Sequence, residues 1–421
     1  MASQRIGDFW NMNLTLHYTD GNGYYEDYKS KAKFSSYKLP EYIDPEGNTV
    51  KKTDLVRRKW LDNYFYGAVY SANYQHDNTR LTLGTAVNNY VGDHFGRVMW
   101  TKSANVLPQP DYEYYRNTGK KLDYNVYAKL TQRLSPLFTG YLDLQYRGIH
   151  YTIKGNDDKA EEELDIHKNW NFFNPKAGIN FHNNGHNAFV SFSVANREPN
   201  RDNFTEAGPE ERPTHETLYD YEAGYSFGNN RFRVGANLYF MDYNNQLILT
   251  GKISEIGEAL TSNIKDSYRM GIELTGGIQI TSWLNWNANV TLSHNKIKDL
   301  GTTNIAFSPD LIANSMFDFA YKGFIASFNS QVVGRQYIDN SSSKDRSIDP
   351  YFINSLRIGY AFQPKFMKEI TLDVTINNLF NEKYETNAWV YSYIENGTRK
   401  KDDGYFTQAG TNAMARITFK F

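Results

Sequence analysis

The sequence predicts an all-β fold, an antiparallel up-and-down transmembrane β-barrel of about 16 strands. Three observations predict it. The 421-residue chain holds 33 Tyr and 26 Phe, yet its mean hydropathy is -0.66. Apolar and polar residues alternate along many segments, and the connections alternate between short turns and long polar links.

The composition suits a wall between lipid and water. Tyrosine carries an apolar ring and a wet hydroxyl, so it sits well at a membrane interface. No stretch reaches the roughly 18 apolar residues of a transmembrane helix, but a spanning strand needs only about 9–11 residues with one apolar face. Met1 to Asp8 is short and polar and does not read as a signal peptide. Cysteine is absent, so cysteine-type metal sites are excluded. The 46 basic and 47 acidic residues balance to -1 without a basic block, so nucleic acid is not an expected partner.

The strands follow from period two. In Asn412 to Phe421, Ala413, Ala415, Ile417, Phe419 and Phe421 share one face, and Asn412, Met414, Arg416, Thr418 and Lys420 share the other. In Leu284 to Ser293, Leu284, Trp286, Ala288, Val290 and Leu292 oppose Asn285, Asn287, Asn289, Thr291 and Ser293. Arg231 to Phe240, Leu122 to Thr131, Leu142 to Arg147, Met270 to Ile280 and Ile370 to Asn377 behave likewise. Turn chemistry marks His76 to Thr79, Ser135-Pro136, Asn183-Asn184-Gly185, Gly228-Asn229-Asn230 and Tyr321-Lys322-Gly323. Between these lie long polar links, at Thr19 to Lys59, Asn89 to Lys121, Lys154 to Asn169, Arg197 to Glu216, Gly251 to Lys265 and Asn387 to Gly404. Short turns on one side and long loops on the other are the layout of an outer-membrane barrel. A soluble sandwich has shorter strands, and a propeller or solenoid needs a fixed repeat, which the unequal links do not show.

No nucleophile elbow, phosphate loop or metalloprotease helix is present, so an enzyme is not expected. His182 and His186 flank the Asn184-Gly185 turn, where a metal would bind only adventitiously. The acidic run Asp157 to Glu163 reads as a solvated loop tip, lacking the spaced pattern of a calcium loop. Asn396-Gly397-Thr398 matches the glycosylation triplet but is also plain loop chemistry. No cofactor is expected.

Five stretches carry a resemblance. They are Asn377 to Tyr384 (NNLFNEKY), Arg416 to Phe421 (RITFKF), Asn196 to Asp202 (NREPNRD), Glu216 to Tyr225 (ETLYDYEAGY) with Asn237 to Leu249, and Tyr268 to Leu274 (YRMGIEL). Gly92 to Gly96 (GDHFG) adds to them. In this order they resemble the barrel of TonB-dependent receptors, outer-membrane importers of scarce nutrients. Residues 1–421 are then expected to be the C-terminal part of a roughly 22-stranded barrel, without signal peptide, TonB-contacting segment, plug or first strands. The resemblance implies outer-membrane lipid as the solvent and the barrel-assembly machinery as reader of Phe419 and Phe421. It implies TonB as a partner only through the missing N-terminal part. A surface lipoprotein over the outer loops is a further expected partner. Arg269 and Glu273 of YRMGIEL should face the lumen and pair with neighbouring strands or a plug.

The outer links make His94, Phe95, Arg97, His167, Arg201 and His215 the candidate ligand contacts, with His150 also near such a link. Loop histidines suit haem or a metal chelate but are more often simply solvated. The expected function is import of an iron-siderophore, haem, cobalamin or other chelate, with no energised transport by this polypeptide alone. Two readings compete: a passive porin, to which the strand number is suited, and a surface adhesin.

Overall fold

The structure, a computed structural model, describes residues 1–103, 106–158, 163–205, 213–253, 259–299, 301–395 and 398–421. Lys159 to Glu162 of the acidic run, and Asn396 and Gly397 of the triplet, lie outside the described residues. The chain divides into two compact units, Met1–Gln132 with Tyr141–Pro175, and Arg133–Gly140 with Lys176–Phe421.

The first unit holds β1 (Ala2–Ile6), β2 (Trp10–Lys33), β3 (Lys52–His76), β4 (Thr79–Thr101) and, apart from residues 133 and 138–140, β5 (Tyr112–Arg133) and β6 (Phe138–Gly155). Strand β7 (Leu164–Asn183) begins in it and ends in the second unit. The second continues with β8 (His186–Arg197), β9 (Glu216–Gly228), β10 (Phe232–Ile253), β11 (Ala259–Thr281) and β12 (Leu284–Ile297). It ends with β13 (Leu311–Tyr321), β14 (Phe324–Val333), β15 (Tyr351–Phe362), β16 (Glu369–Asn377) and β17 (Asn412–Lys420). Within the first unit β1 to β5 pair antiparallel in sequence order. Within the second, the end of β7 and β8 to β17 do the same. The fold is therefore all-β and up-and-down, and setting aside five-residue β1, the described residues give sixteen long strands in this sequential pairing, besides a separate hairpin, Glu385–Glu395 with Thr398–Thr407.

The registers sort the faces as alternation predicts. Leu14 pairs with Tyr70, Leu16 with Ala68 and Tyr18 with Tyr66 on one face, while Asn13 pairs with Ser71 and His17 with Gly67 on the other. Leu16 and Tyr18 are 69% and 64% exposed, which marks the lipid-facing side. On the polar face, charges cross between strands. Arg147 of β6 grips Asp123 of β5. Asp373 of β16 lies between Arg357 of β15 and Arg416 of β17, at 2.9 and 3.1 Å. Arg269 and Glu273 share this face, as expected. Arg269 donates to the Ser308 hydroxyl and Glu273 accepts from Asn237, so each pairs with a neighbouring polar group. In the second unit this face opens a polar depression of about 420 Å³ that includes Arg231, Arg233, Asn285, Asn287 and Asp318.

The turns expected to be short are short. Asn184 (φ 46°) and Gly185 (φ 83°), and likewise Lys322 (φ 50°) and Gly323 (φ 86°), close two-residue hairpins in the left-handed conformation. His182 pairs across the turn with Asn187, whereas His186 lies against Tyr225 and Phe227. Facing pairs are Asn187 with His182 and His186 with Asn183, so the two histidines stand on opposite faces and cannot share a metal.

Four of the long links are shorter than their polarity suggested. The reading of Thr19 to Lys59 as loop is corrected: β2 runs 24 residues to Lys33 and β3 runs 25 residues from Lys52. Strands β4 and β5 likewise enter Asn89 to Lys121, β7 enters Lys154 to Asn169, and β11 enters Gly251 to Lys265. Asn387 to Gly404 lies inside a hairpin of Glu385–Glu395 with Thr398–Thr407. Past the lipid-facing band the strand pattern persists, but tyrosine and charge replace aliphatic side chains, so hydropathy no longer reports it.

NNLFNEKY is a turn device. Asn378 (φ 49°) is 4% exposed; its amide donates to the carbonyls of Glu382 and Ala409 and its oxygen accepts from the Glu382 N–H. Asn381 (φ 56°) accepts the Thr411 N–H. Asparagine tolerates this backbone and supplies the bonds, whereas alanine does neither. Asn378→Ala is expected to lower stability by roughly 2–4 kcal/mol, from lost hydrogen bonds and left-handed strain. Urea unfolding in detergent micelles, followed by tryptophan fluorescence, reads it; a midpoint equal to the parent's would refute it.

Candidate functional site

The strand extensions of the first unit build a small core on the polar, lumen-side face. After Lys33 a 3-10 turn, Phe34–Tyr37, folds back, and Lys38 closes it in the left-handed conformation at φ 53°. Phe34, Tyr37 and Leu39 pack with Leu55, Val98, Tyr114 and Tyr115, and Phe34, Leu55 and Val98 are fully buried. Tyr114 and Tyr115 come from the YEYYR run that opens β5, where a bulge between Gly96 and Arg97 turns both rings into the cluster.

Charge enters this core. Arg57 of β3, 4% exposed, binds Asp27 of β2 at 2.8 Å through Nε and 3.3 Å through Nη2. Lys29 reaches the same carboxylate at 2.8 Å. The link after β6 lays Asp158 over the other side, 3.5 Å from Arg57 Nη1 and 2.5 Å from Lys59 Nζ. Asn117 fixes that link by donating to the Asn156 carbonyl and the Asp157 carboxylate. Burial alone would raise the Asp27 carboxyl, but the bonds from Arg57 and Lys29 outweigh it and hold the group below its ordinary range. Burial pushes the Tyr114 and Tyr115 hydroxyls well above the usual phenol range. The arrangement fixes two cations and two phenols around a carboxylate, which is anion-binding chemistry.

At Asp158 this corrects the reading of the acidic run as solvated, since its side chain is 9% exposed, whereas Glu163 is exposed as expected. Sequence reasoning also missed Asp27, Arg57, Lys59 and Tyr114. The one signal available was the tyrosine-rich alternation of YEYYR.

The six candidate contacts fall in two places. His94, Phe95 and Arg97 lie in strand β4 and His167 in strand β7, so their assignment to loops is corrected. His94 faces Leu61 on the polar face. Phe95 and Arg97 sit on the opposite, outward face. There Phe95 stacks on Trp60 at 5.8 Å, and the guanidiniums of Arg116 and Arg97 cover it at 4.0 and 5.0 Å. That outward aromatic and arginine ladder stabilises the extended strands and is not part of the lumen face. His167 bonds Asp165 at 3.0 Å in the exposed part of β7.

Arg201 and His215 belong to the second unit. Arg201 opens the short helix Arg201–Thr205, and His215 precedes β9. The NREPNRD stretch is anchored around them. Arg197 pairs with Glu216 at 2.9 Å, Glu216 accepts the Leu247 N–H, and Asn203 donates to Thr261. Among the described residues no group of His, Asp and Glu is placed to hold a metal.

The sequence matches the family described as TonB dependent receptor-like, beta-barrel over residues 2–379. No curated protein matches it. Among solved structures it is similar to the copper transporter OprC, with TM-score 0.72 and 14% identity, covering 99% of this chain and 63% of that one. The siderophore receptor PiuA from Acinetobacter baumannii gives TM-score 0.69 and 13% identity, covering 100% and 63%. The ferric citrate transporter FecA in its unliganded form gives 0.66 and 13%, covering 97% and 67%. The chain thus spans under two thirds of the first two relatives, and the likeness is one of fold.

Proposed function

Because the chain belongs to the TonB-dependent receptor β-barrel family, whose members are outer-membrane receptors and transporters rather than enzymes, we propose that it serves nutrient import as the ligand-gathering barrel of such a receptor. The observation that carries this reading is the family match over residues 2–379. The similar siderophore and ferric citrate proteins support an iron chelate as cargo, with haem and cobalamin as the neighbouring choices. TonB is the proposed energy-relaying partner. The barrel-assembly machinery is the proposed reader of Phe419 and Phe421, which are 51% and 80% exposed. A surface lipoprotein is a further proposed partner over the outer links.

The long strands give the proposal a physical form. Strands β2 to β4 run 23 to 25 residues, about twice what a bilayer crossing needs, and so carry a structured polar wall beyond the lipid. A plain pore has no need of a buried ionic cluster on that wall.

The test is disruption of the reading frame in the host, followed by uptake of radiolabelled ferric siderophores, haem and cobalamin with and without the proton motive force. Loss of energised uptake of one of these is expected. Loss of energy-independent diffusion of small solutes instead would overturn the reading in favour of a passive porin.

A further inference from the structure

The lipid-facing side of the second unit ends, at the rim of short turns, in an aromatic patch edged by lysines. Short turns are the periplasmic ones in a barrel of this layout. Phe324 of β14 faces Tyr360 of β15, and Phe362 follows on the same side of β15. The ring centroids of Phe324 and Tyr360 are 4.7 Å apart, and those of Tyr360 and Phe362 are 6.2 Å apart. Phe324 is 57% exposed, so the patch is open to whatever surrounds the wall. Rings at this level mark the boundary between hydrocarbon and headgroups.

Two turns bring lysines to this patch. The Lys322 ammonium lies 5.2 Å from the ring centroid of outward-facing Tyr321, which places it on the lipid side of the wall. The Gly323 carbonyl accepts the Ala361 N–H at 2.7 Å, so this turn sits against the start of the next one, residues 363–368. That next turn carries Lys365, Phe366 and Lys368. It is pinned where the Met367 N–H donates to the Pro364 carbonyl and the Lys368 N–H to the Lys420 carbonyl. Phe366, between the two lysines, is 76% exposed. The charge is one-sided, because residues 319–337 and 351–368 contain no Asp or Glu. The flanking carboxylates are committed elsewhere: Glu369 binds Lys420 at 2.9 Å, and Asp318 accepts from the Ser327 hydroxyl on the polar face. Lys322, Lys365 and Lys368 are exposed, and among the described residues none of them has a carboxylate partner.

We propose that this patch binds an anionic phospholipid of the periplasmic leaflet. Its phosphate sits among Lys322, Lys365 and Lys368, and its acyl chains lie on Phe324, Tyr360 and Phe362. Two features commit the site to lipid. The lysines complement an anionic headgroup, and the rings continue the lipid-facing band of β14 and β15. A free anion gains nothing from the rings, and a soluble protein does not reach rings that stand at the edge of the hydrocarbon. Lysine suits the role, because its stem lies along apolar surface while the ammonium stays among the headgroups. A lipid held this way crosslinks two neighbouring turns and fixes the height of β13 to β16 in the leaflet. The inference goes beyond the import reading and needs only that the barrel sits in a bilayer.

The test uses the full chain folded in detergent micelles, with bound lipid counted by native mass spectrometry. Equimolar phosphatidylglycerol and phosphatidylcholine with identical acyl chains compete for the protein. The parent is expected to hold the anionic lipid about tenfold more tightly. Lys322→Gln, Lys365→Gln and Lys368→Gln combined should bring that preference close to one, and the same three lysines changed to Arg should keep it. Arg233→Gln is the control, since Arg233 lies on the polar face and donates to Asn287; it should match the parent. No preference in the parent, or a preference that survives the triple Gln variant, overturns the proposal. Equal loss in Arg233→Gln also overturns it, by making the effect one of net charge. Displacement of the anionic lipid by millimolar inorganic phosphate overturns it too, by making the site one for free phosphate. Host uptake decides the import reading and the lipid competition decides this one, so either can fail alone.

Discussion

Gly185→Val is expected to be among the most damaging single substitutions in the chain, although it lies in a hairpin turn. Gly185 sits at φ 83° after Asn184 at φ 46°, the pair of positive angles that a two-residue hairpin requires. A side chain there costs about 1–2 kcal/mol in the left-handed region, and branching at Cβ adds to it. Space is missing too. A Cβ on Gly185 would lie 2.2 Å from the carbonyl oxygen of Gly228 in the neighbouring turn. That backbone cannot simply retreat, because the Gly228 N–H donates to the Gly185 carbonyl at 3.0 Å. Forced repacking of this kind costs about 1–3 kcal/mol more. The sum is roughly 2–5 kcal/mol, read as a lower urea midpoint at unchanged slope. Gly276→Ala is the control, since a Cβ there meets nothing within 4 Å. Equal midpoints for the two variants would refute the argument.

That turn was legible in the sequence, and the reason is local. Asn-Gly and Lys-Gly pairs declare positive φ by composition alone, and period-two runs such as Leu284 to Ser293 declare a strand with one face in lipid. Both signals fade where the strands leave the membrane. On β2 the lipid-facing run Met12, Leu14, Leu16 continues into Tyr18, Asp20, Asn22, Tyr24 and Glu26 with the same register but without hydropathy contrast. The extensions therefore read as loops. The candidate site was less legible for a second reason. Phe95 and Arg97 looked like ligand contacts because they neighbour His94, but adjacent strand residues face opposite ways, and only His94 faces the lumen side. Asp158 looked solvated because its neighbours in sequence are acidic. Its partners Arg57 and Lys59 come from β3, and no local pattern links the two segments.

Arg57→Met is expected to cost about 3–5 kcal/mol, the range seen when one partner of a buried ion pair is removed. Methionine fills much of the same volume, so the loss measures charge rather than a cavity. Among the described residues Asp27 then keeps its pair with Lys29, and Asp158 its pair with Lys59. The pH dependence separates this from a packing defect. In the parent the Asp27 carboxyl is held below its ordinary value of 3.8, so the folded state favours its ionised form. That stability is fully present above the ordinary carboxylate range and is lost as pH falls through the depressed value. In Arg57→Met the largest lowering influence is gone while burial, which raises the value, remains. The variant should therefore be furthest below the parent near neutral pH, and the gap should narrow as the solution is acidified and Asp27 takes up its proton. Urea unfolding at a series of pH values from neutral to strongly acid reads both curves. A gap that stays constant across that series would assign the Arg57 contribution to packing and remove the ionic cluster from the account of this site.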